Sequence, residues 1–351
     1  MIRFIAQRIL WTFVVLLFLS LITFGLMHAV PGGPFDREKT LPPETIKVLN
    51  EKYHLDDPLW KQYVDYLVGV LVPRVNDNPP TSLTDSYLIN IPLWGDTEFH
   101  WMNFGPSYRS RSRTVNDIIR EQLPISFQLG VLSIIMSLII GMPLGVIAAL
   151  KQNTVWDYLG MSVAIFGVSV PVIAMGPVLV WIFGVALKWL PPAGWGSKPP
   201  YLMFFVPRQL GWDYWRYTIL PVFALGVSHA AIIARLTRAS LLQVIREDYI
   251  RTARSKGLTE RIVVTRHALR NALIPVITVL GPMFAAIVTG TFVAEQIFGI
   301  PGLGKYFITS ITNRDYPVIM GTTLLYGMML LLANLMVDIS YAWLDPRIRY
   351  D

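Results

Sequence analysis

The sequence predicts an all-α, polytopic membrane protein with six transmembrane helices. Of its 351 residues, 53% are apolar and only 15% are charged, whereas soluble chains of this length carry more charge. Several apolar runs are about twenty residues long, which is the length that an α-helix needs to cross a bilayer. The fold class therefore follows from composition and from the length of these runs.

The predicted spans lie at residues 9–30, 125–150, 159–187, 217–236, 272–294 and 318–337. The first run is longer than the apolar core of a signal peptide, so we interpret it as an uncleaved span. The third run has 29 uncharged residues, more than an upright helix needs. We expect it to tilt or to kink at Pro171 and Pro177.

These spans divide the chain into three parts. Residues 1–30 form an N-terminal segment with the first transmembrane helix, residues 31–124 form an external domain, and residues 125–351 form the core with helices two to six. The core includes a loop at 238–271 that we predict to be cytoplasmic.

Within the external domain, the sequence predicts two helices and an irregular insertion. One helix starts at Pro43, and a second follows Asp57, which we predict to be its N-cap with Pro58 at the first position. Residues 72–101 are rich in Pro, Asn and Asp, which indicates irregular surface structure. The sequence assigns no role to the insertion at 72–107.

The approach to the second span carries a cap and a basic cluster. Thr114 and Asp117 have the spacing of a capping box. Arg109, Arg111 and Arg113 precede them, and two interpretations stay open. The cluster is either a solvated patch facing lipid headgroups or a contact for an acidic surface on an external protein.

The distribution of basic residues orients the bundle. Six spans place both termini on one side of the membrane, and the short segments on that side hold fourteen Lys and Arg residues against six in the short loops opposite. Because cytoplasmic loops are enriched in Lys and Arg, both termini and the loop at 238–271 are predicted to be cytoplasmic.

The loop contains a basic amphipathic stretch at 247–275. Tyr249, Ala253 and Gly257 are spaced four apart, so they share one helix face, on which Ala253 and Gly257 have almost no side chain. Gly257 can end this helix in a left-handed conformation, and Thr259 can cap the next one. The pattern predicts a docking element for a partner, although so basic a loop can also be only a topology signal.

The sequence of this loop resembles that of a known protein family. Residues 253–275, ARSKGLTERIVVTRHALRNALIP, resemble the cytoplasmic coupling loop (the EAA loop) of ABC importer permeases, and in particular of the first permease subunit of oligopeptide and dipeptide transporters. Ala253, Gly257 and Leu269 match the general pattern, whereas Arg251 stands where the family has Glu. The resemblance to this family extends over nearly the whole chain. Its other matching segments lie at 7–9 (QRI), 294–304 (AEQIFGIPGLG), 314–321 (RDYPVIMG) and 345–348 (DPRI).

The resemblance implies a type I ABC importer permease with an external insertion between helices one and two. Such a subunit sits in the plasma membrane of a bacterium or archaeon and takes up di- or oligopeptides delivered by an external substrate-binding protein. It implies three further partners, namely a second permease subunit and two cytoplasmic ATPases. ATP and Mg²⁺ would bind to the ATPases and not to this chain. Oligosaccharide and nickel importers have similar permeases and remain alternatives.

The resemblance also assigns candidate site residues. The residues that would couple to the ATPases are Tyr249, Arg251, Ala253, Arg254, Lys256, Gly257 and Leu258. The residues that would form an external gate or contact the binding protein are Glu295, Gly299, Pro301, Gly302 and Gly304. The second group overlaps a GxxxxGK pattern, but Tyr306 stands where a phosphate-binding loop has Ser or Thr, so we do not interpret it as a nucleotide site.

Other function classes find little support in the sequence. It has no Cys, which excludes disulfides and thiolate metal sites, and it has no motif of a known catalytic constellation. A basic stripe with stacking aromatics, typical of nucleic-acid binding, is also missing. The spans contain few ionisable residues, among them His28 and His229, which argues against ion-coupled transport. A secondary transporter remains the first alternative and a membrane scaffold the second.

Overall fold

The computed structural model of the chain describes residues 2–35, 42–77, 86–94, 97–110, 112–198, 201–202, 205–290 and 292–344. It divides into two compact units, which we describe separately. The first unit contains Met1–Arg8, Pro124–Pro301 and Met329–Asp351, and the second contains Ile9–Leu123 and Gly302–Met328. The DPRI segment at 345–348, which resembles the family, lies outside the described residues.

The chain is mostly helical. In chain order its elements are α1 (Ile2–Ala29), α2 (Pro43–Lys52), α3 (Leu59–Leu71), β1 (Arg74–Asp77), β2 (Ile89–Pro92), β3 (Thr97–Trp101), α4 (Val115–Leu150), α5 (Val155–Ser169), α6 (Val172–Leu179, continued by a π-helical turn at Val180–Ala186), α7 (Trp212–Val244), α8 (Asp248–Ser255), α9 (Glu260–Ile262, continued by a π-helical turn at Val263–Ala268 and by Leu269–Ala272), α10 (Ile274–Gly290), α11 (Phe292–Ile297), α12 (Leu303–Asn313) and α13 (Tyr316–Leu344).

Within the described ranges, four helices are long and apolar enough to cross a membrane: α1, α4, α7 and α13. Two bent pairs raise this number to six if each pair forms one span, with bends of 96° between α5 and α6 and 50° between α9 and α10. The lengths thus permit six spans, and the count itself stays a prediction. The break before α6 confirms the kink at Pro171, because proline lacks an N–H and disfavours helical backbone in the residue before it. Pro177 lies inside α6.

The capping box is confirmed, and it starts α4 ahead of the predicted span. The Thr114 backbone N–H donates to Asp117 Oδ2 at 2.8 Å, and the Asp117 N–H donates to Thr114 Oγ1 at 3.1 Å. The reciprocal bonds satisfy two of the free N–H groups at the helix start.

In the second unit, the prediction of irregular structure at 72–101 is wrong for three described segments. Strands β1, β3 and β2 form an antiparallel sheet in that order, with Val75 and Ile91 both opposite Phe99. On the other face His100 is buried, and its Nδ1 lies 2.8 Å from Asn90 Oδ1. The strands have only four or five residues, and their turn-forming neighbours dominated the sequence pattern.

Helices α2 and α3 lie where the sequence places them, but the predicted cap of α3 is wrong. Pro58 occupies the N-cap position. Asp57 Oδ2 instead accepts a hydrogen bond from Lys61 Nζ at 2.8 Å, one helical turn further on. This hydrogen bond lowers the pKa of Asp57.

The basic cluster before α4 makes contacts inside its own unit. Arg109 donates to the carbonyl oxygens of Asn313 and Pro34, each at 2.7 Å. Arg113 forms a salt bridge with Glu121 at 3.1 Å. Arg111 lies outside the described residues. Two of the three arginines therefore make local contacts in this unit, and both interpretations of the cluster stay predictions.

In the first unit, glycines bring α4 and α7 close together. A Cβ added at Gly141 would lie 2.5 Å from the carbonyl oxygen of Ala230, and one at Gly145 would lie 2.6 Å from that of Ala234. Helix α5 approaches α7 in the same way, since a Cβ at Gly167 would lie 2.6 Å from a methyl group of Val227. Small residues permit this backbone approach, on which helix packing in membranes relies.

The glycine contact generates a stability prediction. Replacing Gly145 with Ala should push α4 away from α7 and destabilise the fold by about 1–3 kcal/mol, because neither backbone can absorb the added methyl group. The measurement is the thermal unfolding midpoint of the purified protein in detergent.

The matched control is Gly25→Ala in α1, where no described residue lies within 4 Å of the added Cβ. It should leave the midpoint unchanged or raise it slightly, since Ala favours helix over Gly by about 0.5–1 kcal/mol. Equal midpoints for the two variants would contradict the close contact.

Candidate functional site

Helix α8 follows α7 after three residues and is held by its apolar side. Ile250 is fully buried and Ala253 is 6% exposed. They belong to one buried cluster with Ala149, Leu241, Val263, Ala268 and Ala272. We call this cluster the seat of α8. It joins the helix to the ends of α4 and α7 and to the helical segment at 260–272.

The seat corrects part of the docking prediction. Tyr249, Ala253 and Gly257 were expected to form one surface for a partner, but Ala253 is buried against the chain's own helices. Tyr249 is 41% exposed, and Gly257 is exposed as well. The reason is the neighbouring Ile250, whose burial turns the adjacent Ala253 inward.

The predicted left-handed glycine is confirmed. Gly257 has φ of 78°, and its N–H donates to the Arg254 carbonyl oxygen at 2.9 Å. Other residues adopt this backbone conformation only at a cost. Thr259 then takes the N-cap position before α9 with extended backbone, as the sequence predicts, but its side chain makes no capping hydrogen bond.

Two side-chain links fix the turn between α8 and α9. The Arg254 guanidinium donates to both Glu260 carboxylate oxygens, at 2.7 and 3.1 Å. Asn271 Nδ2 donates to the Tyr249 hydroxyl at 2.7 Å. The sequence analysis did not single out Glu260 or Asn271. The sequence shows only that Glu260 can pair with Arg254 and that Asn271 can pair with Tyr249. The fold brings the two members of each pair together.

The outward side of α8 and its turn combines aromatic, cationic and aliphatic groups. Its exposed members include Tyr249, Arg251, Thr252, Arg254, Lys256, Leu258 and Ile262, with the acidic Asp248 and Glu260 exposed beside them. Arg251 also contacts Asp248 at 3.3 Å. We call this set the exposed face of α8. Its chemistry suits binding to another protein, because aromatic and Arg side chains carry much of the energy of interfaces.

The second predicted group of site residues is only partly at the surface. In the first unit, Glu295 is 1% exposed and accepts a hydrogen bond from Ser126 Oγ at 2.8 Å, so its carboxylate is not presented to a partner. Gly299 has φ of 60° and is exposed, as is Pro301.

Residues 298–299 pack near residues 193–194 of the same unit. The Gly194 N–H donates to the Phe298 carbonyl oxygen at 2.7 Å, and a Cβ added at Gly299 would lie 3.1 Å from that of Ala193. In the second unit, Gly302 and Gly304 are buried at the start of α12. The gate or contact role of this group stays a prediction.

Two polar groups of the first unit escaped the sequence analysis. Gln128 Oε1 accepts hydrogen bonds from Trp195 Nε1, Ser197 Oγ and Tyr214 Oη at 3.1–3.4 Å, which ties the segment before α7 to α4. Asp157 of α5 and Arg238 of α7 form a salt bridge at 2.7 Å. Asp157 and Arg238 lie just outside the predicted spans, so neither counted as an intramembrane charge.

The two histidines of the spans make local contacts. His28 Nδ1 lies 2.9 Å from the Phe24 carbonyl oxygen, and His229 Nδ1 lies 2.8 Å from that of Leu225. Both partners are one turn earlier in the same helix. These contacts favour histidines held within the bundle over ligands of a transported ion.

Comparison with known proteins covers nearly the whole chain. Residues 1–130 match a family model described as the N-terminal part of the membrane component of binding-protein-dependent transport systems. Residues 141–350 match the model described as the binding-protein-dependent transport system inner membrane component.

Individual relatives match over their full length. The chain is 42% identical over 349 residues to the dipeptide transport system permease protein DppB of Bacillus subtilis, covering 99% of this chain and 98% of that protein. It is 39% identical over 350 residues to the oligopeptide transport system permease protein OppB of Salmonella typhimurium, covering 100% of both. Among solved structures, 64% of this chain aligns with 94% of a chain of the MetNI methionine ABC transporter, with a TM-score of 0.49 and 16% identity. On the extent of the family and sequence matches, the chain belongs to the family of binding-protein-dependent transport system inner membrane components.

Proposed function

We propose that this chain is the permease subunit of an ATP-driven ABC importer for peptides. The full-length similarity to dipeptide and oligopeptide permeases supports the substrate class. The observation that carries the coupling role is the exposed face of α8, which is mounted on a buried seat and presents basic and aromatic side chains. Hydrolysis takes place in partner subunits, so this chain is not itself an enzyme.

The partners follow from this role. Two ATPases, which bind ATP and Mg²⁺, dock in the cytoplasm on Tyr249, Arg251, Arg254, Lys256, Gly257 and Leu258. Ala253 contributes indirectly, because it packs in the seat and holds α8 in place. A second permease subunit completes the pathway, and an external binding protein delivers the peptide. Both termini of this chain then lie in the cytoplasm.

The seat explains how a push on α8 reaches the membrane. Ile250 packs in one cluster with Leu241 of α7 and Ala149 of α4, so α8 cannot shift without these helix ends. Close-packed cores transmit displacement because they have few voids to absorb it. Movement of the ATPases would in this way switch the pathway between outward and inward access.

We assign the contact with the external binding protein to the segment around Pro301. Gly299 and Pro301 are exposed and can contact a docked binding protein, whereas Glu295 fixes the segment through Ser126. The left-handed backbone at Gly299 sets the direction of the chain there.

Charge reversal on the exposed face tests the coupling role. The double variant Arg251→Glu, Lys256→Glu should lower affinity for the ATPases at least about tenfold, equivalent to ~1.4 kcal/mol, because both residues are exposed and leave the seat intact. The measurement is co-elution of ATPase subunits with the purified permease pair. Arg208→Glu, an exposed arginine in the segment before α7, is the control and should retain them. Equal retention of the ATPases by both variants would contradict the assignment of the exposed face of α8 as their docking surface.

Uptake in proteoliposomes separates the importer from an ion-coupled transporter. We expect labelled peptide to enter only when ATP, the ATPases and the binding protein are all present. Uptake by this chain under an ion gradient alone would support a secondary transporter instead.

The seat makes a separate prediction. Ile250→Ala should destabilise the anchorage of α8 by roughly 2–5 kcal/mol, because it leaves a cavity in a fully buried site. Hydrogen–deuterium exchange of residues 248–257 should therefore become faster. Arg251→Ala, its exposed neighbour, should leave exchange unchanged. The same exchange rate in both variants would mean that the seat does not hold the helix.

A further inference from the structure

An ion pair joins two helices of the first unit close to the seat of α8. Arg238 Nε donates to Asp157 Oδ1 and Arg238 Nη2 donates to Asp157 Oδ2, both at 2.7 Å. The two parallel bonds fix the relative orientation of the guanidinium and the carboxylate as well as their distance. Asp157 is 2% exposed, and the Arg238 side chain is 28% exposed.

Asp157 also holds the turn between α4 and α5. The Asn153 backbone N–H donates to Asp157 Oδ2 at 3.0 Å, and Asn153 has a left-handed φ of 61°. One carboxylate thus accepts three hydrogen bonds, two from α7 and one from the turn. We call Asp157 with Arg238 the clamp.

The clamp lies next to the seat along α7. Thr237, beside Arg238, faces Gly145 of α4, and Leu241 in the following turn belongs to the seat together with Ile250. Three successive features of α7, namely the glycine contact, the clamp and the seat, therefore precede the point where the chain turns into α8.

An ion pair whose carboxylate is buried is weak evidence for a role in stability alone. Removing two charges from water is costly, and apolar side chains of similar volume often stabilise a fold as well or better. Arg238 lies on α7, which is long enough to cross a membrane, and Asp157 lies on α5, which reaches that length only together with α6.

We propose that Asp157 and Arg238 are positioning residues that make α5 and the α4–α5 turn move together with α7 and α8 as one body during transport. This inference rests on the proposed function, and it adds a residue pair that transmits the motion of the ATPases. The clamp stays closed throughout the cycle, so breaking it separates ATP hydrolysis from uptake.

The first test uses Asp157→Asn in the complex with its ATPases and binding protein, reconstituted in proteoliposomes. The amide keeps the shape of the side chain but leaves Arg238 without a counter-charge. Co-elution of the ATPases and their hydrolysis rate should persist, while peptide taken up per ATP hydrolysed should fall at least about fivefold. Asp213→Asn is the matched control, since Asp213 pairs with Arg216 of the same helix but is 84% exposed. It should leave this ratio unchanged.

A cross-link tests whether the two sides move as one body. Because the sequence has no Cys, Asp157→Cys combined with Arg238→Cys gives a unique reactive pair. The reduced double variant should show the low ratio, and joining the thiols with a short bifunctional thiosulfonate should restore it. A further loss of uptake on cross-linking would overturn the proposal, because it would mean that the pair must separate.

The outcomes distinguish the clamp from the proposed function. If the wild-type complex shows no ATP-driven uptake, the proposed function fails and the clamp with it. If the wild type transports and the clamp variants match Asp213→Asn, only the clamp is overturned. Should Asp157→Asn fail to assemble, Arg238→Lys gives the same comparison, because it keeps the cation and loses the paired hydrogen bonds.

Discussion

Burial of Ile250 and Ala253 is the contact on which the rest of the candidate site depends. Once this side of α8 packs on α4, α7 and the segment at 260–272, the opposite side must face outward. The orientation of Tyr249, Arg251 and Lys256 follows from that choice and not from any property of their own. The left-handed turn at Gly257 then lets the chain leave α8 without pulling Ile250 from the seat.

Contacts of a different kind hold the helices above the seat. Between helices in a bilayer the hydrophobic effect contributes little, so close backbone approach and polar links have to stabilise the packing. Gly141 and Gly145 provide the first, and the Asp157–Arg238 pair provides the second. Together they make α4, α5 and α7 a firm support for α8.

Features encoded over a few neighbouring residues could be predicted from the sequence. They include the apolar runs, the kink at Pro171, the capping box at Thr114 and the turn at Gly257. The motif in the loop at 238–271 also pointed to the family to which the chain belongs.

Features that depend on contacts between distant residues could not be predicted. The inward side of Ala253 is set by residues from three other parts of the chain, and the clamp joins residues 81 positions apart. Spacing alone showed which residues share a helix face but not which face the fold buries. The sheet around His100 was missed because its strands are too short for alternation to outweigh the turn signals.

Cysteine protection tests the central claim most directly. Thr252→Cys and Lys256→Cys place single thiols on the exposed face of α8 in a chain that has no other, and Arg208→Cys places one outside it. Maleimide labelling in detergent is then compared with and without the ATPase subunits. The account predicts strong protection at 252 and 256 and none at 208. Unchanged labelling at 252 and 256 in an assembled complex would contradict it.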